Sequence, residues 1–242
     1  MRAKLYGHRG ARGERPENTM EGFAYARALG VAGIETDIAL TADFVPVLHH
    51  DAALTDGRLI KDVAAAALPE FIRTLARALR EVPGVEWLLE VKTYPAQPGQ
   101  THPAALMVEK ILPVLEGIPL ERLHILAFDW VVLREVAARA PKLRRVCLTA
   151  PDMAVARQIW WGEGFSGLTI PQAVAASGAW GWAGLQTAMT EMEVVQANAL
   201  NLKVYAWTVN EDEDFNRLSP LVDGIVTDFP SRFYLESCNL RL

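Results

Sequence analysis

Ile34-Glu35-Thr36-Asp37-Ile38-Ala39-Leu40 is the stretch on which the reading of the fold turns. Side chains two apart on a strand share a face. Glu35 and Asp37 therefore point one way, and Ile34, Thr36 and Ile38 point the other. In a closed barrel the outer face packs on helices, so the two acids must point inward. Residues 87–91 repeat the arrangement, with Glu90 and then Lys92 opposite Leu89 and Val91.

Working outward, the chain alternates strand-like runs with helix-like patterns. The runs are residues 4–7, 34–40, 87–91, 124–128, 145–149, 182–186, 204–208 and 224–227. Helical patterns cover 17–29, 104–115, 130–140, 153–161, 191–199 and 211–218. The first of these follows Pro16, has Asn18 and Thr19 as candidate caps and closes near Gly30. Such alternation predicts an α/β fold with a parallel sheet and helices outside it. Eight units favour a single (β/α)8 barrel, a TIM barrel, over an open doubly wound sheet. Residues 45–50 predict one small extra extended segment, paired back on 34–40 through Thr41-Ala42-Asp43. No repeat or linker interrupts residues 1–242, which read as one domain.

The chain has 242 residues, 51% hydrophobic and 22% charged, which excludes disorder and small disulfide scaffolds. Its formal net charge of −5 argues against nonspecific nucleic-acid binding and against an anionic membrane surface. Cys147 and Cys238 have no metal-like spacing. The opening residues carry no apolar run, and the uncharged stretch from Gly164 to Thr190 is broken by Pro171 and several glycines. These features predict a soluble, cytoplasmic protein.

Three inward carboxylates without a cation would be very costly to bury. Glu35, Asp37 and Glu90 are thus candidate metal ligands at the C-terminal mouth of the barrel. Their oxygen donors suit one hard divalent ion, Mg²⁺ or Ca²⁺, better than Zn²⁺. His8 and Arg9 stand where the first run ends, and Gly10 gives the backbone freedom to turn both into one site. His50 ends the extra segment beside Asp51. Two histidines near a metal can serve as base and acid. Arg9 and Lys92 are the cations expected around a phosphate. His49, His102 and His124 read as structural.

Taken together, His8-Arg9-Gly10-Ala11, Pro16-Glu17-Asn18-Thr19, Glu35-Thr36-Asp37, His50-Asp51 and Glu90-Val91-Lys92 resemble the glycerophosphodiester phosphodiesterase family. Trp207-Thr208-Val209-Asn210 and Asp223-Gly224-Ile225-Val226-Thr227-Asp228, followed by Pro230, agree with it. The resemblance runs from residue 4 to about 233 and is only general over 150–190. It implies a barrel related to phosphatidylinositol-specific phospholipase C that cleaves glycerophosphodiesters into sn-glycerol 3-phosphate and an alcohol. It implies metal ligands Glu35, Asp37 and Glu90, an acid–base pair His8 and His50, and phosphate contacts from Arg9 and Lys92. Phe128 and Trp207 would be apolar walls of the substrate pocket. Two positions depart from the pattern. Ala127 stands where family members usually have Ser, and Leu54-Thr55-Asp56-Gly57 replaces an Arg-Thr-Thr run. Both departures point at the leaving-group side of the pocket.

Two other functions compete. One is a phospholipase-like enzyme acting on a lipid or lysolipid. The other is an inert barrel that binds a phosphate compound. Trp160, Trp161, Trp180 and Trp182 hold four of the seven tryptophans in one uncharged region. They read either as packing between late helices and barrel or as an exposed patch joining subunits of a homo-oligomer.

Overall fold

Eight parallel strands close on themselves, and a short ninth hangs from one of them. The computed structural model describes residues 3–239, with side chains up to Tyr234, so Cys238 lies outside the described side chains. Its strands are β1 (Lys4–Gly7), β2 (Gly33–Leu40), β3 (Pro46–Leu48), β4 (Glu86–Val91), β5 (Leu123–Ala127), β6 (Arg144–Thr149), β7 (Gly181–Leu185), β8 (Lys203–Trp207) and β9 (Gly224–Thr227). Pairing runs β1-β9-β8-β7-β6-β5-β4-β2, and β1 also pairs β2, which closes the (β/α)8 barrel and excludes the open sheet. β3 lies antiparallel on β2, with Val47 opposite Ala39. It spans less than the 45–50 run, although the His49 N–H still donates to the Asp37 carbonyl of β2 at 3.1 Å.

Helices wrap the outside, and their departures from the sequence pattern have local causes. The first is Met20–Leu29 rather than 17–29. Asn18 takes φ +54°, outside the helical region, and the Thr19 side chain caps the helix by accepting from the Gly22 N–H. The 153–161 pattern breaks at Ala156, giving two short helices, Pro151–Val155 and Arg157–Trp160. Inside the uncharged stretch a further helix, Ile170–Ala176, is held by a reciprocal Thr169–Gln172 capping box. Among the described residues no helix is long and apolar enough to cross a membrane.

Alternation along each strand sorts the side chains into two cores. Leu5, Ile34, Ile38, Trp87, Leu89 and Val91 face the helices in the large outer core. Tyr6, Leu88, Leu126, Val146, Leu148, Ala183, Tyr205 and Val226 fill the barrel itself. Below this plug the barrel floor is polar, with Glu86 accepting from Lys4 Nζ and from Tyr6 OH at 2.7 Å. Above it lies the candidate site.

Two expectations change here. The four tryptophans form no exposed patch, because each has a partner inside. Trp161 is fully buried and stacks on Trp130 at 4.4 Å, and Trp182 is buried with its N–H on Thr149 Oγ1 at 2.7 Å. Trp180 packs edge-on to His124 at the barrel floor, and Trp160 lines the cavity at the mouth. Nor do the two departures from the family pattern reach the pocket. Ala127 belongs to the outer core, since the strand parity that turns Leu126 inward turns Ala127 out. The 54–57 loop closes on itself through Gly57 N–H to Leu54 O at 2.9 Å, with Leu54 buried in a separate apolar cluster.

Candidate active site

The site starts with a turn that only glycine allows. β1 ends at Gly7, where a Cβ would sit 1.8 Å from the Gly10 carbonyl oxygen. Arg9 follows at φ +47° and Gly10 at φ +92°. This turn aims the Arg9 backbone N–H at Glu35 Oε2, 3.0 Å away. It also brings the guanidinium Nε within 3.2 Å of Asp37 Oδ2 and Nη1 within 3.1 Å of Glu17. His8 and Arg9 therefore share one site, although neighbours on a regular strand could not.

Glu35 and Asp37 from β2 and Glu90 from β4 offer one carboxylate oxygen each, all within 4.8 Å of one another. Strand register explains the meeting, because Asp37 is directly opposite Glu90 in the parallel ladder. Lys92 Nζ reaches Glu90 at 2.7 Å and Asp37 at 3.5 Å. Asn18 fixes the Asp37 rotamer by donating Nδ2–H to Oδ2 at 3.0 Å, while its own oxygen accepts from Thr36 Oγ1 at 2.7 Å.

The charges do not balance. Burial pushes the Glu35 carboxyl well above its ordinary range, and Asp37 and Glu90 push it further. Burial opposes ionisation of Asp37 too, but Lys92, His50 and Arg9 override it and hold that carboxyl at about 2. Lys92 stays charged despite burial because Glu90 and Asp37 face it. Arg9 is shared with Glu17, so the cluster keeps a surplus of negative charge. Three buried oxygen donors within reach of one another, one of them resisting ionisation, fit a hard divalent cation.

Both histidines are held through Nδ1. His8 Nδ1 lies 2.5 Å from Asp228 Oδ1, and its Nε2 lies 3.8 Å from Glu35 Oε2. Asn210 grips Asp228 twice, donating Nδ2–H to Oδ2 at 2.8 Å and accepting the Asp228 backbone N–H at 2.9 Å. His50 Nδ1 lies 2.7 Å from the exposed Asp51, and Tyr94 OH donates to the His50 carbonyl at 3.3 Å. Burial and then the Lys92 charge lower the His50 pKa, against the pull of Asp37.

These groups surround a cavity of about 370 Å³ at the C-terminal ends of the strands. His8, Arg9, Glu35, His50, Glu90, Lys92, Phe128 and Trp207 line it; Asp37, 1% exposed, lies outside that lining. His49, His102 and His124 do not line it. Sequence reasoning gave no role to Asp228, Asn210 or Tyr94, and took Asn18 for a helix cap. The signals were present as Asn within Pro-Glu-Asn-Thr and as polar residues closing the last two strands.

Three clustered carboxylates, the cations Arg9 and Lys92 and two histidines held by carboxylates meet at the barrel mouth, an arrangement suited to a phosphoric ester. The Glycerophosphoryl diester phosphodiesterase family matches residues 8–232, and the chain belongs to that family and to its enzyme class, the phosphoric diester hydrolases. A "Glycerophosphodiester phosphodiesterase" from Caldanaerobacter subterraneus is 27% identical over 95% of this chain and 96% of its own length. A Silicibacter pomeroyi crystal structure named for the same family is 31% identical, with TM-score 0.83 over 97% of this chain and 94% of that one. An Oleispira antarctica phosphodiesterase, solved with the product sn-glycerol-3-phosphate, shares the fold at 22% identity and TM-score 0.78, covering 97% of each chain. Shorter matches link the chain to longer mammalian relatives, of which it covers only 9% to 18%.

Proposed function

We propose that this protein hydrolyses glycerophosphodiesters to sn-glycerol 3-phosphate and an alcohol, using one divalent ion, Mg²⁺ or Ca²⁺, and two histidines. The observation that carries the reading is the meeting of three carboxylates, two cations and two carboxylate-oriented histidines at one cavity. Support comes also from the family match and from the product that the Oleispira relative binds.

Glu35, Asp37 and Glu90 would hold the ion, which supplies Lewis-acid neutralisation of the phosphodiester anion. Arg9 and Lys92 add fixed positive charge where charge builds at phosphorus. Asp228 orients His8 by accepting its Nδ1–H, which leaves the Nε2 lone pair free to act as base. His8 takes the proton of the attacking oxygen, either water or the glycerol 2-hydroxyl. His50 donates a proton to the departing alkoxide, a poor leaving group otherwise. Phe128 and Trp207, edge to face at 5.5 Å, wall the substrate from water.

The test is a panel of glycerophosphodiesters with direct detection of sn-glycerol 3-phosphate. Release from at least one member, lost on chelation, is expected. Full metal-supplemented protein that releases none from any member would overturn the reading.

A further inference from the structure

We propose that the alcohol arm of the phosphodiester this cavity takes is an apolar chain, seated against the wall built by β5–β9; this rests on the hydrolytic reading above. The cavity lining is divided by chain position. Every charged lining side chain comes from residues 8–92. From residue 126 onward the lining is mostly carbon, with Leu126, Leu148, Ala183 and Val226 from the strands and Met153 and Trp160 from the short helices after β6, while Tyr205, Trp207 and Thr208 add polar atoms.

The few polar groups on that wall are mostly committed elsewhere. Tyr205 OH lies 3.4 Å from His124 Nδ1 on the barrel floor, and Trp207 Nε1–H donates to the Ala183 carbonyl at 3.1 Å. A sugar or glycerol arm placed there would lose water from its hydroxyls without replacement partners. Most partners for glycerol hydroxyls, the charged side chains with Thr93 and Tyr94, stand on the other half. The second arm of the diester must then face carbon.

Two exposed apolar side chains stand close by in the chain. Val155 is 89% exposed and Ile159 is 51% exposed, on the same short helices as Met153 and Trp160. A chain leaving the cavity past Trp160 would meet an apolar rim instead of water. The reaction needs no further co-reactant. Water supplies the hydroxyl that joins phosphorus, the P–O bond to the alcohol breaks, and the alcohol departs with the proton from His50.

The test uses sn-glycerol 3-phospho-n-alkanols from methyl to octyl, kept below micelle formation, beside glycerophosphoglycerol and glycerophosphoinositol. We expect kcat/KM to rise about twofold to fourfold per methylene over the first several carbons, and both polyol esters to be the poorest substrates. In Trp160→Ala and Ile159→Ser the octyl-to-methyl ratio should fall at least threefold. Calorimetric binding of the same series to His50→Ala protein separates the two readings. Affinity that climbs with chain length supports the apolar seat even if no ester is cleaved. Rates and affinities that are flat or fall with chain length, with polyol esters preferred, overturn it.

Discussion

Glu86 and Glu35 stand on neighbouring strands at opposite ends of one barrel interior, and the protein treats their charges differently. Glu86, on the floor, is half-buried, which raises its carboxyl pKa, but hydrogen bonds from Lys4 and Tyr6 overcome this and hold it below the ordinary range. His124 sits 3.8 Å from it and is flanked by Arg144 at 3.3 Å and Tyr205. Every charge there has a partner within the chain. Glu35, at the mouth, has one backbone N–H and two acidic neighbours, and its carboxyl is driven up. A polar cluster completed by its own chain is structural. One left with surplus negative charge is built for a partner from outside.

Chelation should break the symmetry most. Exhaustive EDTA should abolish phosphodiesterase activity, and Mg²⁺ or Ca²⁺ should restore it. An ion at a hundred times its Kd stabilises by about 2.7 kcal/mol, so Tm should fall by roughly 5–10 °C on its removal. Glu35→Gln should weaken ion binding at least tenfold, yet raise the Tm of the metal-free protein by relieving repulsion. Unchanged activity and unchanged melting in EDTA would sink the account of the mouth.

The histidines come next in size. His8→Ala and His50→Ala should each cost roughly 10²–10⁴ in rate with an ordinary alcohol. A p-nitrophenol leaving group departs without a proton, so it should rescue His50→Ala and not His8→Ala. Equal losses on both substrates would make the pair phosphate-binding only. Asp228→Asn should resemble a weakened His8 variant, because Asn cannot accept the Nδ1–H as a carboxylate does, and its pH profile should shift.

The strands were legible because inward acids and outward aliphatics alternate so cleanly at residues 34–38 and 87–92. The carboxylate cluster was legible for the same reason, since parity turns Glu35, Asp37 and Glu90 inward and register then brings them together. What could not be read lies where long-range register decides. Asp228 reaches His8 across 220 residues, and only the β1–β9 pairing brings them together. Tryptophan composition was mute in the same way. Trp160 and Trp161 are adjacent, yet one lines the cavity and the other stacks on Trp130, because Trp160 ends a short helix and Trp161 is its cap. Ala127 looked like a pocket change until parity turned it into the outer core.

The smallest effect sharpens the comparison at the floor. Burial, with help from Arg144, lowers the His124 pKa from its ordinary 6.5 to about 4, against the pull of Glu86. The unfolded chain therefore takes up a proton near pH 6.5 that the folded chain refuses until about pH 4. Stability should fall as pH drops through that window, by on the order of 2–3 kcal/mol at its acid end. Glu86, whose folded pKa is depressed, adds to the loss only below its ordinary 4.5. Glu35 runs the other way. Its folded pKa is raised, so metal-free protein gains stability from it as pH falls from neutral. Urea melts of metal-free protein between pH 7 and 4.5 separate these contributions. His124→Gln should flatten most of the acid slope, and Glu35→Gln should steepen it by removing the opposing gain. An acid slope unchanged in His124→Gln would mean that the floor is not where acid sensitivity resides.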